Sequence, residues 1–432
     1  MKKLVMTAAA FAALSASAAI AITDVSARQR WPWNGLVDVD FTIAGAATGE
    51  AFAVDVDATA SGGATQLSAK TYATEPIATT GANRVVWDFG ADYPEFRAND
   101  VRVSVTVTPF SGDVPVYMVI DISGGPTAAK WPVRYTTKAP AFTVGAADPC
   151  KTTEIWLKRV KAGTNAAMGR TQWTSYGSYK THTCTLTNDY YLGIFPVTQA
   201  QFRNLDAQEG RDLSKFTNPL YSATRPVDGV AFTTLRAFLQ DYTHGYDKTD
   251  AVGDGCIIAY LRQRTGLKTI DLPTEWQWEY ACRAGTAAQR YDNATYRAGS
   301  PMPAEDDETY ADPGLWTEDY GTSYVDRYDP NPWGFYGMIG NVWEWCANWM
   351  LSGIGEGDVL VEPRGGAPVS SSGTPSDQRY YYHVARGGAW NSNSNYTYNH
   401  TRNNVNTWAA GYPANLGFRL CIPVRGEILE GE

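Results

Sequence analysis

The chain has 432 residues, long for one domain and comfortable for two, and either arrangement buries a sizeable core. Its formal net charge of -9 argues against a nucleic-acid partner, which would need basic patches. The 15 Trp and 26 Tyr instead supply rigid amphipathic surface that suits cores and binding faces alike.

In chain order, Lys2 and Lys3 precede an Ala-rich apolar run from Leu4 to Ile20 with small-residue sites at Ala16-Ser17-Ala18 and Ala19-Ile20-Ala21. This reads as a secretory signal peptide over residues 1–21. No second apolar span of about 20 residues follows, so the expectation is a secreted or periplasmic protein with no transmembrane segment after cleavage. Six cysteines remain: Cys150, Cys184, Cys256, Cys282, Cys346 and Cys421. An even count in an oxidising compartment favours disulfides and leaves their pairing open. No pair has CxxC spacing, which argues against a zinc knuckle.

Residues 22–124 alternate with period two. Val37, Val39, Phe41 and Ile43 point one way and Asp38, Asp40 and Thr42 the other, and the pattern recurs at Phe52, Val54, Val56 and at Val101, Val103, Val105, Val107. With no amphipathic helix, this predicts an antiparallel, immunoglobulin-like β-sandwich serving as spacer or docking module. Residues 125–149, which take in GGPTAAKWP from Gly124 and end on KAPAFTVGAADP, read as a turn-rich linker.

A second domain is expected over 150–424, followed by a short tail, 425–432. Thr198 with Gln201, and Thr274 with Gln277, are capping boxes that open two helices, the second stopping at Gly285; a third, weaker helix runs through TTLRAFLQDY. In GNVWEW, Trp343 and Trp345 face one side of an extended segment and Glu344 the other, and Arg419 is placed to bridge to a carboxylate. These read as determinants of the fold.

The ordered segments YYLGIFPVTQAQF, RPVDGVAFTTLRAF, LPTEWQWEYACRAG, NPWGFYGMIGNVWEWCANW, RGGAW and NLGFRL resemble the formylglycine-generating enzyme family, the sulfatase-modifying factors, over roughly residues 151 to 424. The resemblance implies a C-type-lectin-like fold with little regular secondary structure, and so an α+β chain overall. It also implies oxidation of a sulfatase cysteine with copper(I) held between two thiolates. Laid on RGGAWNSNSNYTYNH, those thiolate positions hold Ser392 and Thr397. Copper(I) is soft and selects sulfur, and an unionised hydroxyl cannot replace it; copper is therefore not expected.

The family's calcium site carries over as Gly340, Val342 and Glu344, although Gly337 stands where the family commonly has Asp or Asn. Asp306, Asp307, Asp312 and Asp319 are further oxygen donors in a segment that otherwise reads as a solvated loop. The four histidines, His182, His244, His383 and His400, lack metal-ligand spacing, and His400 reads as a surface or hydrogen-bonding side chain.

What the polar stretch offers is recognition. Trp343, Trp390, Asn391, Asn393, Asn395, Tyr396 and Tyr398 mix flat apolar faces with donors and acceptors that suit a glycan or an extended peptide. The leading expectation is an exported recognition module without oxidase chemistry. Its rivals are an oxidase that acts on sulfatase cysteine through other ligands, and a structural or adhesive component of the cell envelope.

Overall fold

The computed structural model describes residues 20–30, 35–46, 50–98, 100–110, 115–170, 180–206, 214–219, 222–236, 252–288, 290, 321–350, 354, 356–361, 382–392, 398–406 and 415–423. The leader expected at the start, the acidic segment with Asp306 to Asp319, His244 and the C-terminal tail fall outside these residues, apart from the leader's last two positions.

The N-terminal part is two packed sheets. Strands β1 (Ala21–Gln29) and β2 (Leu36–Ala44) join β6 (Gly81–Asp88), while β3 (Ala51–Ala60) carries β4 (Thr65–Ser68) and β5 (Ile77–Thr79) on one side and β7 (Arg102–Pro109) on the other. The period-two text dictates the layer between them. Val39, Phe41, Val85 and Trp87 from one sheet bury against Phe52, Val54, Val56, Val103 and Val105 from the other, each such side chain contributing ~1.5–3 kcal/mol by leaving water. A single helical turn, α1 (Phe89–Asp92), is capped by Asp88, whose side chain accepts from the Ala91 amide.

The expected linker is not an open connection. It contains β9 (Val133–Thr136), which pairs with β8 (Tyr117–Asp121) and touches β6. Trp131, Val133 and Tyr135 alternate into the core, and Trp131 is fully buried with Arg264 stacked 4.6 Å from its ring. Prolines flanking this short run hide its alternation in the sequence. Beyond it come α2 (Pro149–Thr152) and β10 (Glu154–Val160), and β10 pairs with β8 from Glu154↔Asp121 to Lys158↔Tyr117. One eight-stranded sheet therefore runs across both parts, closed at its far side by β13 (Tyr190–Gly193) and β19 (Cys421–Pro423). A second tie is the contact between the start of β6 and the end of a helix. A Cβ at Gly81 would lie 2.2 Å from the Thr265 carbonyl oxygen and 2.6 Å from Gly266 Cα, a gap only glycine leaves.

The rest is short strands and helices among long loops. β11 (Ala166–Met168), β12 (His182–Thr185) and β15 (Val359–Val361) form a small sheet, and β14 (Trp343–Trp349), β16 (Tyr382–Arg386), β17 (Arg402–Asn406) and β18 (Leu416–Gly417) a fourth. Both expected capping boxes are present, opening α3 (Gln199–Leu205) and α6 (Glu275–Arg283). Ala284 rather than Gly285 is the left-handed cap of α6. The third expected helix is one turn, α4 (Phe232–Leu235), within the described residues. A further helix, α5 (Ile257–Thr265), was not expected, because its N-cap is Cys256, whose sulfur accepts from the Ala259 amide in place of the usual Ser, Thr, Asp or Asn.

Strand β14 sits between two cores, as its alternation requires. Trp343 and Trp345 enter one, Cys346 the other, and Glu344 turns toward Trp278. Among the described residues no helix is long and apolar enough to cross a membrane.

Candidate functional site

The loop after β16 starts with Gly387 and Gly388, both with positive φ (101° and 77°). Gly387 is obligatory on space as well, since a Cβ there would meet the Met338 carbonyl at 3.0 Å and the Trp278 ring at 3.2 Å. The Gly340 amide donates to the Gly387 carbonyl (2.7 Å) and the Trp390 amide to the Asn341 carbonyl (2.9 Å), so the loop is fastened along the GNVWEW turn. Asn341 itself adopts φ 67°, which Asn tolerates better than most residues.

On this frame Trp390 is half-buried, edge-on to Phe216 at 5.1 Å, and Asn391 is exposed while accepting from Asn415 Nδ2 at 2.8 Å. Ser392 turns inward. Its Oγ accepts from the Ala389 amide at 3.0 Å and its own amide donates to the Ala389 carbonyl at 2.9 Å. That hydroxyl closes the turn. Asn393, Asn395, Tyr396 and Thr397 lie outside the described residues.

On the return, Tyr398 is half-buried, with the guanidinium carbons of Arg170 and Arg290 5.4 and 5.1 Å from its ring and His400 stacked on it at 5.3 Å. His400 is a correction to the sequence reading: it is 2 % exposed, not a surface side chain. Burial, aided by the nearby Arg283 and Arg170 and opposed by Glu279, brings its pKa down to about 4. Trp343 is likewise corrected. At 4 % exposure it packs in the core beneath the loop and lines no open face.

Glu344 does not fit a calcium ligand. It is fully buried, its two carboxylate oxygens take Arg419 Nη2 at 2.7 Å and Nε at 2.6 Å, and Trp278 Nε1 donates to it at 2.6 Å. Arg419 also donates to the Gly193 and Tyr336 carbonyls. This is the bridge expected for NLGFRL, and it uses the carboxylate that calcium would need. Among the described residues no three His, Cys, Asp or Glu side chains gather as a metal set.

Below the loop lies a denser network that the sequence reading did not single out. Glu275 accepts from Arg386 (2.8 Å), Arg402 (2.6 Å) and Asn348 (2.9 Å), and Glu279 pairs with Arg283 (2.7 Å) and Arg386 (3.0 Å). Burial alone would raise the Glu279 carboxyl, yet Arg283 and Arg386 outweigh it and hold it at about 2. The i, i+4 spacing of Glu275, Glu279 and Arg283 on one helix face was the available signal.

All six cysteines are described, buried and free, so the expected disulfides are absent. Burial pushes the thiols of Cys282, Cys346 and Cys421 well above the ordinary range and that of Cys150 up to about 12. Thiolates are not available there.

The family model for the sulfatase-modifying factor enzyme 1-like domain matches residues 151–424. The formylglycine-generating enzyme of Bos taurus is 27% identical over 164 residues, 34% of this chain and 37% of that protein, and that of Streptomyces coelicolor is 32% identical over 159 residues, 34% and 45%. A protein named serine/threonine-protein kinase pkn1 from Chlamydia pneumoniae is 37% identical over 209 residues, 48% of this chain and 29% of that one. The chain thus spans less than half the length of each of these curated relatives. Among solved structures, Treponema denticola variable protein 1 superposes with a TM-score of 0.42 at 23% identity, covering 66% of this chain and 99% of that one.

Proposed function

Because the chain belongs to the sulfatase-modifying factor enzyme 1-like family through residues 151–424, we propose that it is an exported, non-catalytic member that recognises a glycan or peptide through the loop beyond Arg386. One observation carries the reading. Ser392, at the position where the family resemblance puts the first copper-binding thiolate, is buried and spends its hydroxyl on the Ala389 amide. A neutral hydroxyl is a hard donor with a pKa far above neutrality, and copper(I) asks for soft sulfur. The thiols in the surrounding core are held protonated by burial. The half-buried Trp390 and Tyr398 rings and the exposed Asn391 amide remain, a mixture of flat apolar faces and hydrogen-bonding groups that suits ligand recognition.

The test is a titration with copper(I) buffered by a chelator of known affinity, read together with turnover of a CxPxR peptide. Neither metal uptake nor conversion is expected. One tightly bound copper(I) with conversion of the peptide would replace this reading with an oxidase acting on sulfatase cysteine.

A further inference from the structure

Away from the loop, a cleft of ≈ 660 Å³ opens on the charged face of the eight-stranded sheet, where the N-terminal strands meet α2 and β10. The alternation that sends Val39, Val85, Val133, Ile120 and Ile155 into the cores sends Asp38, Arg84, Arg134, Asp121 and Glu154 to the opposite face. Arg28 and Arg30 share Asp38 (3.2 and 2.7 Å), Arg84 binds Asp40 (2.6 Å) and Asp121, and Arg134 binds Glu154 (2.7 Å). At the β10 end Arg134 lies 5.6 Å from the Trp156 ring, whose Nε1 donates to Glu154 at 2.7 Å.

Stability alone does not require this ladder. Ion pairs taken out of water roughly break even with apolar side chains of the same volume, and Asp38, Arg84, Asp121 and Arg134 are each nine-tenths buried or more. Their cost is met by holding charged groups in fixed places along a concave surface of the size that small ligands occupy. The five cations Arg28, Arg30, Arg84, Arg134 and Lys138 outnumber by one the carboxylates Asp38, Asp40, Asp121 and Glu154 among them, in a chain that is acidic overall.

We propose that this cleft binds an anionic saccharide. The excess guanidinium and ammonium groups match a sugar carboxylate, since charge-assisted bonds of this kind are the strong ones. The interspersed carboxylates, with Thr74, Ser123 and Thr153 beside them, match the many hydroxyl donors of a sugar. An acidic peptide fits less well: it offers few hydroxyls to those carboxylates, whereas a sugar brings both the hydroxyls and a flat ring face for Trp156 at the β10 end. The site is a different one from the loop beyond Arg386, and the two proposals succeed or fail separately.

The test uses the full mature chain in low salt and calorimetric titration with tetragalacturonate, a neutral galactose tetrasaccharide and an Asp/Glu-rich octapeptide. Arg28, with its side chain 74% exposed, and Lys138, also exposed, are the positions to vary, because neither supports the core. The uronate is expected to bind, the neutral sugar and the peptide to bind at least about tenfold more weakly, and Arg28→Ala with Lys138→Ala to weaken the uronate about tenfold at unchanged melting temperature. No uronate heat, equal binding of the neutral sugar or the peptide, or uronate binding indifferent to both substitutions would overturn the proposal.

Discussion

Arg419→Met is the substitution that most directly examines how the second part is held together. The guanidinium is fully buried and makes two bonds to Glu344 and one each to the carbonyls of Gly193 and Tyr336. Removing it leaves an ionised carboxylate with Trp278 Nε1 as its remaining hydrogen-bond donor and strips two carbonyls of a partner. Breaking one side of a buried pair costs about 3–5 kcal/mol, and the orphaned carbonyls put the expected loss at the upper end. Against a total stability of ~5–15 kcal/mol, that brings the protein near its unfolding threshold. Urea denaturation followed by tryptophan fluorescence measures it, with a constant m showing that the unfolded state is unchanged. Adding Glu344→Leu removes the stranded charge and should recover much of the loss. A loss below about 1 kcal/mol for Arg419→Met, or strictly additive losses in the double variant, would show that the pair does not hold β14 to the GFR segment.

Two further outcomes follow from the buried charges and thiols. Glu279, at about 2 against an ordinary 4.5, gives stability that is present above pH 4.5 and lost as pH falls toward 2. His400, at about 4 against 6.5, is protonated more readily in the unfolded chain, so stability also falls between pH 6.5 and 4. Each contributes a slope of about 1.4 kcal/mol per pH unit within its window; urea midpoints across pH should show both, and His400→Gln should flatten the upper one alone. The native protein should leave a thiol reagent unconsumed, the unreduced protein in denaturant should titrate all six cysteines, and reductant should not move the melting temperature. Fewer than six thiols in denaturant would reveal a disulfide.

Features written in neighbouring residues were legible. Thr198 with Gln201 and Thr274 with Gln277 carry their caps within one turn, and the WEW alternation needed only the pleat of a strand. Arg419 could be matched to a carboxylate because a buried guanidinium demands one. What failed depended on partners distant in sequence. Asp38 and Asp40 could be placed only on the face opposite Val39 and Phe41, because their partners Arg28, Arg30 and Arg84 come from other segments, and nothing in one sequence shows them meeting. Glu344 read as a calcium ligand until Arg419 occupied both its oxygens. His400 read as a surface or hydrogen-bonding side chain for want of any local mark of burial, and an even cysteine count said nothing of whether the sulfurs face one another.

The ladder between β8 and β10 gives the molecule different seams for ancestry and for mechanics. The family segment begins at residue 151, inside α2 and just ahead of a strand whose hydrogen-bonded neighbour lies before that boundary. A fragment cut there would present β10, with Ile155 and Leu157 on one face and Trp156 on the other, as a bare template for other strands. The two parts are joined by the backbone pairs from Glu154↔Asp121 to Lys158↔Tyr117 and by the glycine contact at Gly81 and Gly266. The charged cleft is built across this joint, with Arg84, Asp121 and Arg134 on one side of it and Glu154 and Trp156 on the other, so its lining is complete only while both sides stay together.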